Sequence, residues 1–439
     1  MIRYLPDLAA RPAPRYTSYP TAAQFAGSVG AQEQAEALVR IAPGAPVSLY
    51  LHIPFCKQIC WYCGCNTGAV AGERARASRL PPYVAALMAE IETVAPLMRG
   101  RVTSIHFGGG SPNSLEATEL TGILATVLAR FHVSPDAEIG VELDPRGLDE
   151  PYVAELARAG VNRISLGAQT FADHVQARIN RIQPYEAVAE AVRAARAHDI
   201  AGINFDLMFG LPLQTEADLA ETIGLALSLA PDRVAVFGYA HMPAMIARQR
   251  MIADASLPDA ATRFAQSALA NRMFTAAGYT AIGFDHFARP DDPLAKAAAA
   301  GTLRRNFQGY TTDPGEATIG FGATAISLFD DLIVQNEKHV GRWQARVLAG
   351  GLAGERGVTR SSDDRARARI IERLLCDGAV DVDGGYARCL VALRPYADEG
   401  LVELEPGRIR MTPEGWPYAR LIAAAFDAYL AGGRHSRAI

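Results

Sequence analysis

Between Pro46 and His241, six short apolar runs alternate with segments of helical periodicity, and this alternation restricts the fold more than any other feature of the chain. The runs are VSLYLHI (47–53), VTSIHF (102–107), EIGVELD (138–144), VNRISLG (161–167), GINFDLMFG (202–210) and RVAVFGYAH (233–241). Each is nearly continuously apolar and β-branched, as strands of a parallel sheet covered on both faces are. The segments between them, such as PPYVAALMAEIETVAPLM (81–98) and PYVAELARAG (151–160), are rich in Ala, Leu and Glu. Such a series predicts an α/β fold, an open partial (β/α)6 barrel two units short of closure. Its functional groups belong at the C-terminal strand ends, in the loops that follow.

The flanking sequence differs. Residues 1–29, rich in Pro, Ser, Thr and Ala, read as an irregular N-terminal arm, residues 30–299 as the barrel, and residues 300–439 as a smaller, mainly α-helical domain. In that last part RARARIIERLLCDG (365–378) is the clearest helix, LVELEPGRIRMTPEG (401–415) reads as a hairpin around Pro406-Gly407, and a final helix is expected over 417–431. The arm carries too little charge for a solvated tail, so it is expected to fold back near the site. With 49% hydrophobic and 21% charged residues, the composition is that of a soluble globular protein. A net charge of −4 gives no electrostatic basis for binding nucleic acid or an anionic membrane. The first twenty residues contain no apolar signal-peptide core and no run is long enough to span a membrane, so a cytoplasmic location is expected.

Four of the six cysteines fall within ten residues, in HIPFCKQICWYCGC (52–65). Their spacing, C-x3-C-x2-C-x-C, lies in the loop after the first predicted strand. A structural zinc site would need a second Cys or Cys/His pair at suitable spacing, and none is present. Cys376 and Cys389 lie far along the chain and read as core residues, and His52 on its strand reads as a structural group. Three cysteines on one tight loop suit a [4Fe–4S] cluster with one iron left open to a small molecule, a reading favoured over zinc.

The motif Cys56-x3-Cys60-x-Tyr62-Cys63 resembles the signature of the radical S-adenosylmethionine (SAM) enzymes. The resemblance implies that Cys56, Cys60 and Cys63 hold the cluster, that SAM binds its open iron, and that Cys65 is not a ligand. HFGGGSPN (106–113), directly after the second strand, is similar to that superfamily's methionine-binding loop. Glycines there let a backbone run close to a ligand. Glu142, Gln169 and Asp206 sit at three consecutive strand ends, where ionisable or polar groups are costly unless a ligand partners them.

More specific stretches resemble the oxygen-independent coproporphyrinogen III oxidases: PRYTSYPTA (14–22), SLYLHIPFCKQICWYCGCN (48–66), VNRISLGAQTF (161–171), NFDLMFGLPLQT (204–215), DRVAVFGYAHMP (232–243), DHFARPDD (285–292) and NFQGYTT (306–312). The resemblance implies a monomeric cytoplasmic enzyme that converts two propionates of coproporphyrinogen III to vinyls, giving protoporphyrinogen IX, with two SAM molecules bound. Cluster-bound SAM would meet Tyr50, Gly109, Glu142 and Ile326. The second SAM would meet Tyr62, Gly110, Ser111, Gln169, Arg181, Asp206 and Ala240, with Ser111 where the family often has threonine. A reductant, flavodoxin-like or ferredoxin-like, would feed the cluster. No side-chain acid or base is required as a catalytic residue. Arginines suit the substrate carboxylates, and Arg15, Arg248, Arg289, Arg304 and Arg305 are the candidates. Haem-binding chaperones share the cysteine loop and glycines, but the arm, Cys65 and NFQGYTT favour the oxidase reading over a chaperone or another tetrapyrrole-modifying enzyme.

Overall fold

A computed structural model describes residues 3–430. The six predicted runs are strands β1 (Pro46–Ile53), β2 (Arg101–Gly109), β3 (His132–Leu143), β4 (Arg163–Gln169), β5 (Gly202–Phe209) and β6 (Arg233–Gly238), each parallel to the next. Helices α1 (Glu73–Val94), α2 (Ala117–Arg130), α3 (Glu150–Arg158), α4 (Tyr185–Ala197) and α5 (Glu216–Ser228) connect them in turn, and α6 (Ala260–Ala276) follows β6.

The strands are not apolar on both faces, as their composition suggested. Side chains alternate across a strand, and one row is wholly apolar and buried: Leu49 and Leu51 on β1, Ile105 and Phe107 on β2, Ile203, Phe205 and Leu207 on β5. This row packs with the helices in one large core. The opposite row carries Tyr50, His106, Glu142, Ser165, Asn204 and Asp206, and faces the concave interior. At the N-terminal strand ends the interior charges are paired, Arg163 with Glu138 and Arg233 with Asp292, both at 2.8 Å.

The sheet extends past the six units on both sides. Beyond β6, β7 (Thr280–Ile282) and β8 (His286–Ala288) add antiparallel in the order β6-β8-β7. On the other side β9 (Ala317–Phe321) lies parallel to β1, pairing Tyr50 with Gly320. Strands β10 (Ile326–Leu328), β11 (Leu332–Asn336) and β12 (Gly354–Thr359) then continue antiparallel. The sheet does not close, since β12 and β7 are its two edges. Residues 317–359 therefore belong to the sheet, so the expected boundary at residue 300 falls too early. These strands are short: β9 is ordered by pairing with β1, far away in sequence, and β10 to β12 each by pairing with the strand before.

After α7 (Val340–Leu348), the helical C-terminal part comprises α8 (Ser362–Asp377), α9 (Ala387–Asp398) and α10 (Ala419–Ala424) with a three-stranded sheet over 379–411. Helix α8 starts at a capping box in which Ser361 Oγ accepts from Asp364 N and Asp364 accepts from Ser361 N. It ends at Gly378 with φ +68°. The hairpin pairs Val402–Glu405 with Arg408–Met411 as expected, whereas the last helix stops at Ala424. Residue 431 of the expected helix, like residues 1–2 of the arm and the remaining tail, lies outside the described residues. The arm does fold back: Ala9, Ala13, Tyr16 and Tyr19 are buried in one core with Leu374, Leu393 and Ile422.

A buried carboxyl joins α1 to the extended sheet. Glu90 accepts from Gly322 N at 2.7 Å, Asn336 Nδ2 at 2.8 Å and Trp343 Nε1 at 3.2 Å. Nearby, Tyr83 donates to His52 O at 2.7 Å and accepts from Ala323 N at 3.2 Å. Burial outweighs the three donors and raises the Glu90 carboxyl from 4.5 to about 8. Because the folded value lies above the unfolded one, its contribution to stability is complete below 4.5 and is lost as pH rises through about 8. Replacement Glu90→Ala strands three donors and is expected to cost about 3 kcal/mol at mildly acidic pH. Denaturant unfolding from about pH 5 to about pH 8 should show wild-type stability falling where the variant's does not.

Candidate active site

The cysteine loop is built on β1. Beyond Ile53 the chain forms a two-residue ladder, Phe55-Cys56 parallel to Gly68-Ala69, which closes the loop at its base. Two other segments grip it. Asn180 Nδ2 donates to Ile59 O at 2.8 Å and Trp61 N donates to Ile179 O at 2.9 Å. From the turn after β6, Gln249 Nε2 donates to Tyr62 O at 2.8 Å and Arg248 Nη2 to Cys65 O at 3.2 Å.

So held, the thiols of Cys56, Cys60 and Cys63 line one cavity of about 360 Å³. Each sulfur has donors around it. Cys60 Sγ accepts from Arg181 Nη1 at 3.5 Å and Arg146 Nη2 at 3.6 Å, and Cys63 Sγ accepts from Cys65 N at 3.4 Å. Cys56 Sγ lies 3.1 Å from Thr67 Oγ1 and 3.6 Å from Ser111 Oγ. Hydrogen bonding from Cys65 outweighs burial at Cys63, with help from Arg248 and Arg181, and favours its thiolate; the Cys65 thiol is correspondingly raised. At Cys56, burial prevails and raises the thiol. Asp144 ties the two arginines together, 2.6 Å from Arg146 Nη2 and 3.4 Å from Arg181 Nη2.

Of the three glycines at the end of β2, Gly109 and Gly110 lie directly against β1 and this loop, and Gly108 lies against Glu142. Gly110 N donates to Ile53 O at 2.9 Å and Ser111 N to Phe55 O at 2.8 Å. A Cβ on Gly110 would sit 2.5 Å from Phe55 O and 2.6 Å from Thr67 Oγ1. On Gly109, whose φ is +115°, it would sit 2.5 Å from the His52 ring. Packing on the cysteine strand thus demands glycine here, in addition to any ligand.

Polar groups of the interior row form a chain. Tyr50 OH lies 3.1 Å from His52 Nδ1, and its ring stacks on that of His106. His106 Nε2 lies 3.1 Å from Glu142 Oε1, while Glu142 Oε2 accepts from Gly109 N at 3.2 Å. Burial would raise Glu142, but His106 and the Gly109 N–H hold it below its ordinary value. At Asp206 the balance falls the other way: burial, then the charge of Glu142, lift it to about 7 against His106, a hydrogen bond from Ser165 and Arg181. His52 Nε2, Arg181 Nε and Arg248 Nη1 are buried without a partner.

The structure gathers most of the expected site. Tyr62, Gly109, Gly110, Ser111, Glu142, Gln169, Arg181, Asp206 and Ala240 all line the thiol cavity. Tyr50 and Ile326 line an adjoining cavity of about 410 Å³, which shares Glu142, Ser165, Asp206 and Phe237 with the first. Sequence reading passed over Asp144, Arg146, Thr67, Ser165 and His106. Of these, His106 stood in HFGGGSPN and Ser165 in VNRISLGAQTF. Among the described residues no three His, Cys, Asp or Glu side chains converge as a single metal ion would require. A cube whose thiolates bind separate irons makes no such demand, and three thiols with nearby guanidinium, hydroxyl and N–H donors suit it. Unpartnered donors and the carboxylates of Glu142 and Asp206 beside it suit a ligand with carboxylate, ammonium and hydroxyl groups.

Residues 50–226 match the Radical SAM superfamily. An oxygen-independent coproporphyrinogen III oxidase from Bradyrhizobium diazoefficiens is 44% identical, over 97% of both chains. The enzyme of that name from Escherichia coli K12 is 38% identical over 95% of this chain and 93% of its own. A solved structure of the Escherichia coli coproporphyrinogen III oxidase, described as a radical SAM enzyme, superposes with a TM-score of 0.90 at 37% identity, covering 94% of this chain and 97% of that one. The chain belongs to the oxygen-independent coproporphyrinogen III oxidases. It is thus a radical SAM enzyme, and a [4Fe–4S] cluster and SAM are the cofactors of its superfamily.

For an oxidase of this family the arginine candidates separate cleanly. Arg15 and Arg248 line the thiol cavity. Arg305 lies between Phe284 and Tyr310, its guanidinium 4.5 Å from the Tyr310 centroid. Arg289 and Arg304 are surface residues beside Asp291 and Glu372. Because Gly110 abuts the cysteine strand, Gly110→Ala is expected to cost about 1–3 kcal/mol of stability and to reduce the iron retained on anaerobic reconstitution. Gly122→Ala, inside α2 with nothing closer than 3.6 Å to its Cβ, is the control and should leave iron retention unchanged while raising stability by up to about 1 kcal/mol.

Proposed function

We propose that this chain catalyses the oxidative decarboxylation of two propionates of coproporphyrinogen III, giving protoporphyrinogen IX. The observation that carries the reading is the coincidence of three thiols, the glycine loop and the polar interior row on one cavity. When bound, the cluster and SAM supply a 5′-deoxyadenosyl radical that takes a hydrogen atom from the propionate β-carbon. Loss of CO2, with the remaining electron passed to an external one-electron acceptor, would then leave the vinyl group. Cys56, Cys60 and Cys63 hold the cluster. Arg181 and Arg146 neutralise Cys60, and the Cys65 N–H does the same for Cys63.

Two SAM molecules are bound in this reading. Tyr50, Gly109, Glu142 and Ile326 orient the one at the cluster. Tyr62, Gly110, Ser111, Gln169, Arg181, Asp206 and Ala240 orient the second. Asp206, the one interior carboxylate that burial brings near neutrality, suits hydroxyl groups and accepts from them most strongly once ionised. The concave wall excludes water, which protects a radical from quenching. The protein acts as a monomer in the cytoplasm, and a small flavodoxin-like or ferredoxin-like protein supplies the electron. Among the described residues no helix is long and apolar enough to cross a membrane.

The test is anaerobic turnover after reconstitution with iron and sulfide, following 5′-deoxyadenosine and porphyrin together. A two-carboxylate porphyrin formed with substrate-dependent deoxyadenosine is the expected result. Deoxyadenosine with a porphyrin that keeps four carboxylates would overturn the substrate assignment and leave a chaperone or another tetrapyrrole enzyme. In the same preparations Cys56→Ser, Cys60→Ser and Cys63→Ser are each expected to lose the cluster's visible absorbance and all turnover. Cys65→Ser keeps its backbone N–H toward Cys63 and is expected to retain the cluster.

A further inference from the structure

His106 and Glu142 both belong to the interior row, and the register of three strands fixes how they meet. Tyr50 on β1, His106 on β2 and Gly140 on β3 lie abreast. Glu142 stands two residues beyond Gly140, on the same face of β3. Gly140 leaves the way open: a Cβ there would sit 3.0 Å from His106 Nδ1. A glycine inside a strand marks such a close approach. The His106 ring therefore lies over β3, and the Tyr50 ring stacks on it with 6.1 Å between centroids and 15° between planes. In that position His106 Nε2 is 3.1 Å from Glu142 Oε1.

Strand β2 thus holds the carboxylate at both oxygens. Oε1 faces His106 Nε2, and Oε2 accepts from Gly109 N at 3.2 Å. Gly108 leaves the space that the carboxyl group fills, since a Cβ there would sit 2.9 Å from its atoms. An ionised carboxylate can only accept, so His106 Nε2 carries the proton. This differs from the N-terminal strand ends, where Arg163 pairs with Glu138. A guanidinium can occupy both oxygens of a carboxylate at once. An imidazole N–H and a backbone N–H take one bond each and leave lone pairs on both oxygens. The Glu142 side chain stays 38% accessible and lines the thiol cavity as well as the interior one, whereas His106 lines the interior one alone.

We propose that His106 is a positioning residue for the SAM at the cluster: its Nε2–H fixes the Glu142 carboxylate against β2 and leaves the free lone pairs for the ammonium or hydroxyl donors of SAM. The inference rests on the contact between Glu142 and that SAM proposed above. His106 acts through Glu142 and needs no contact with SAM of its own. Without the imidazole donor the carboxylate is held at one oxygen only and can turn about its terminal bonds. SAM must then order it on binding, and that ordering weakens affinity.

The test measures SAM binding, not turnover. Reconstituted enzyme without substrate is reduced, mixed with increasing SAM and frozen. The change in the cluster's EPR signal, which reports the SAM at its open iron, gives the half-saturating concentration. Iron content confirms that each variant holds its cluster. His106→Phe and His106→Leu remove the donor, and each should raise half-saturation by about fivefold or more. His106→Gln, which keeps an N–H donor, should recover part of that loss. On a Glu142→Ala background His106→Phe should add less than about twofold, because the group it positions is gone. A smaller rise in both donorless variants, or a larger further rise on Glu142→Ala, would overturn the positioning role while leaving the SAM site in place. Wild-type SAM binding by Glu142→Ala itself would instead overturn the assignment of Glu142 to that site.

Discussion

Every functional group in this protein hangs on one constraint, the opposite character of the two faces of a single sheet. The outer row of β1 to β6 is aliphatic and aromatic, and covering it with helices stabilises the fold by about 1.5–3 kcal/mol for each large side chain fully buried. Because strand side chains alternate, fixing that row outward turns Tyr50, His106, Glu142 and Asp206 inward. A register slip of one residue would exchange the faces and bury these groups among helices, at a cost of several kcal/mol each. The hydrophobic core therefore sets the register, and the register places the polar interior. Stability and site are specified by the same alternation.

Strand β1 carries this coupling to the cysteines. It is flanked by β2 on one side and β9 on the other, so its C-terminal end cannot move without breaking two parallel ladders. Gly109 and Gly110, at the end of β2, lie so close to β1 and its continuation that no Cβ fits between them. Tyr83 fixes the His52 carbonyl from α1, and Glu90 on the same helix holds the turn before Ile326. The loop of Cys56 to Cys63 thus projects from a rigid base although it has little regular structure of its own.

Much of this was legible in the sequence, for physical reasons that also explain what was not. The six strands stand out because each pairs with its neighbour along the chain and carries a full buried row. Strands β9 to β12 do not, because they are three to six residues long and are built outward from β9, whose own partner, β1, lies far away in sequence. GERGVT (354–359) has no apolar pattern to betray it, hence the boundary placed too early. Cysteine spacing and a glycine triplet are local signals and survived the reading intact. Asp144, Arg146 and Ser165 are single polar residues whose meaning lies in distances across strands, set by register and loop closure. The strands also read as apolar throughout because their polar members are few and separated by large aliphatic ones.

The arm and the C-terminal helices complete the interior from outside the barrel. Tyr16 and Tyr19 are buried in the C-terminal core, with Tyr16 OH donating to Asp427 at 2.9 Å and Tyr19 OH accepting from Ala428 N at 2.9 Å. Arg420 in turn holds the arm by its carbonyls at Ala13 and Pro14. Arg15 is thereby carried from the arm to the lining of the thiol cavity, beside Arg181 and Arg248 from the barrel loops. Each strand ends at its own loop, so a barrel alone offers one ring of side chains around one centre. Here a second body, tied to the first through the arm, adds a side chain to that ring from outside the barrel without disturbing the polar row that the sheet's register fixes.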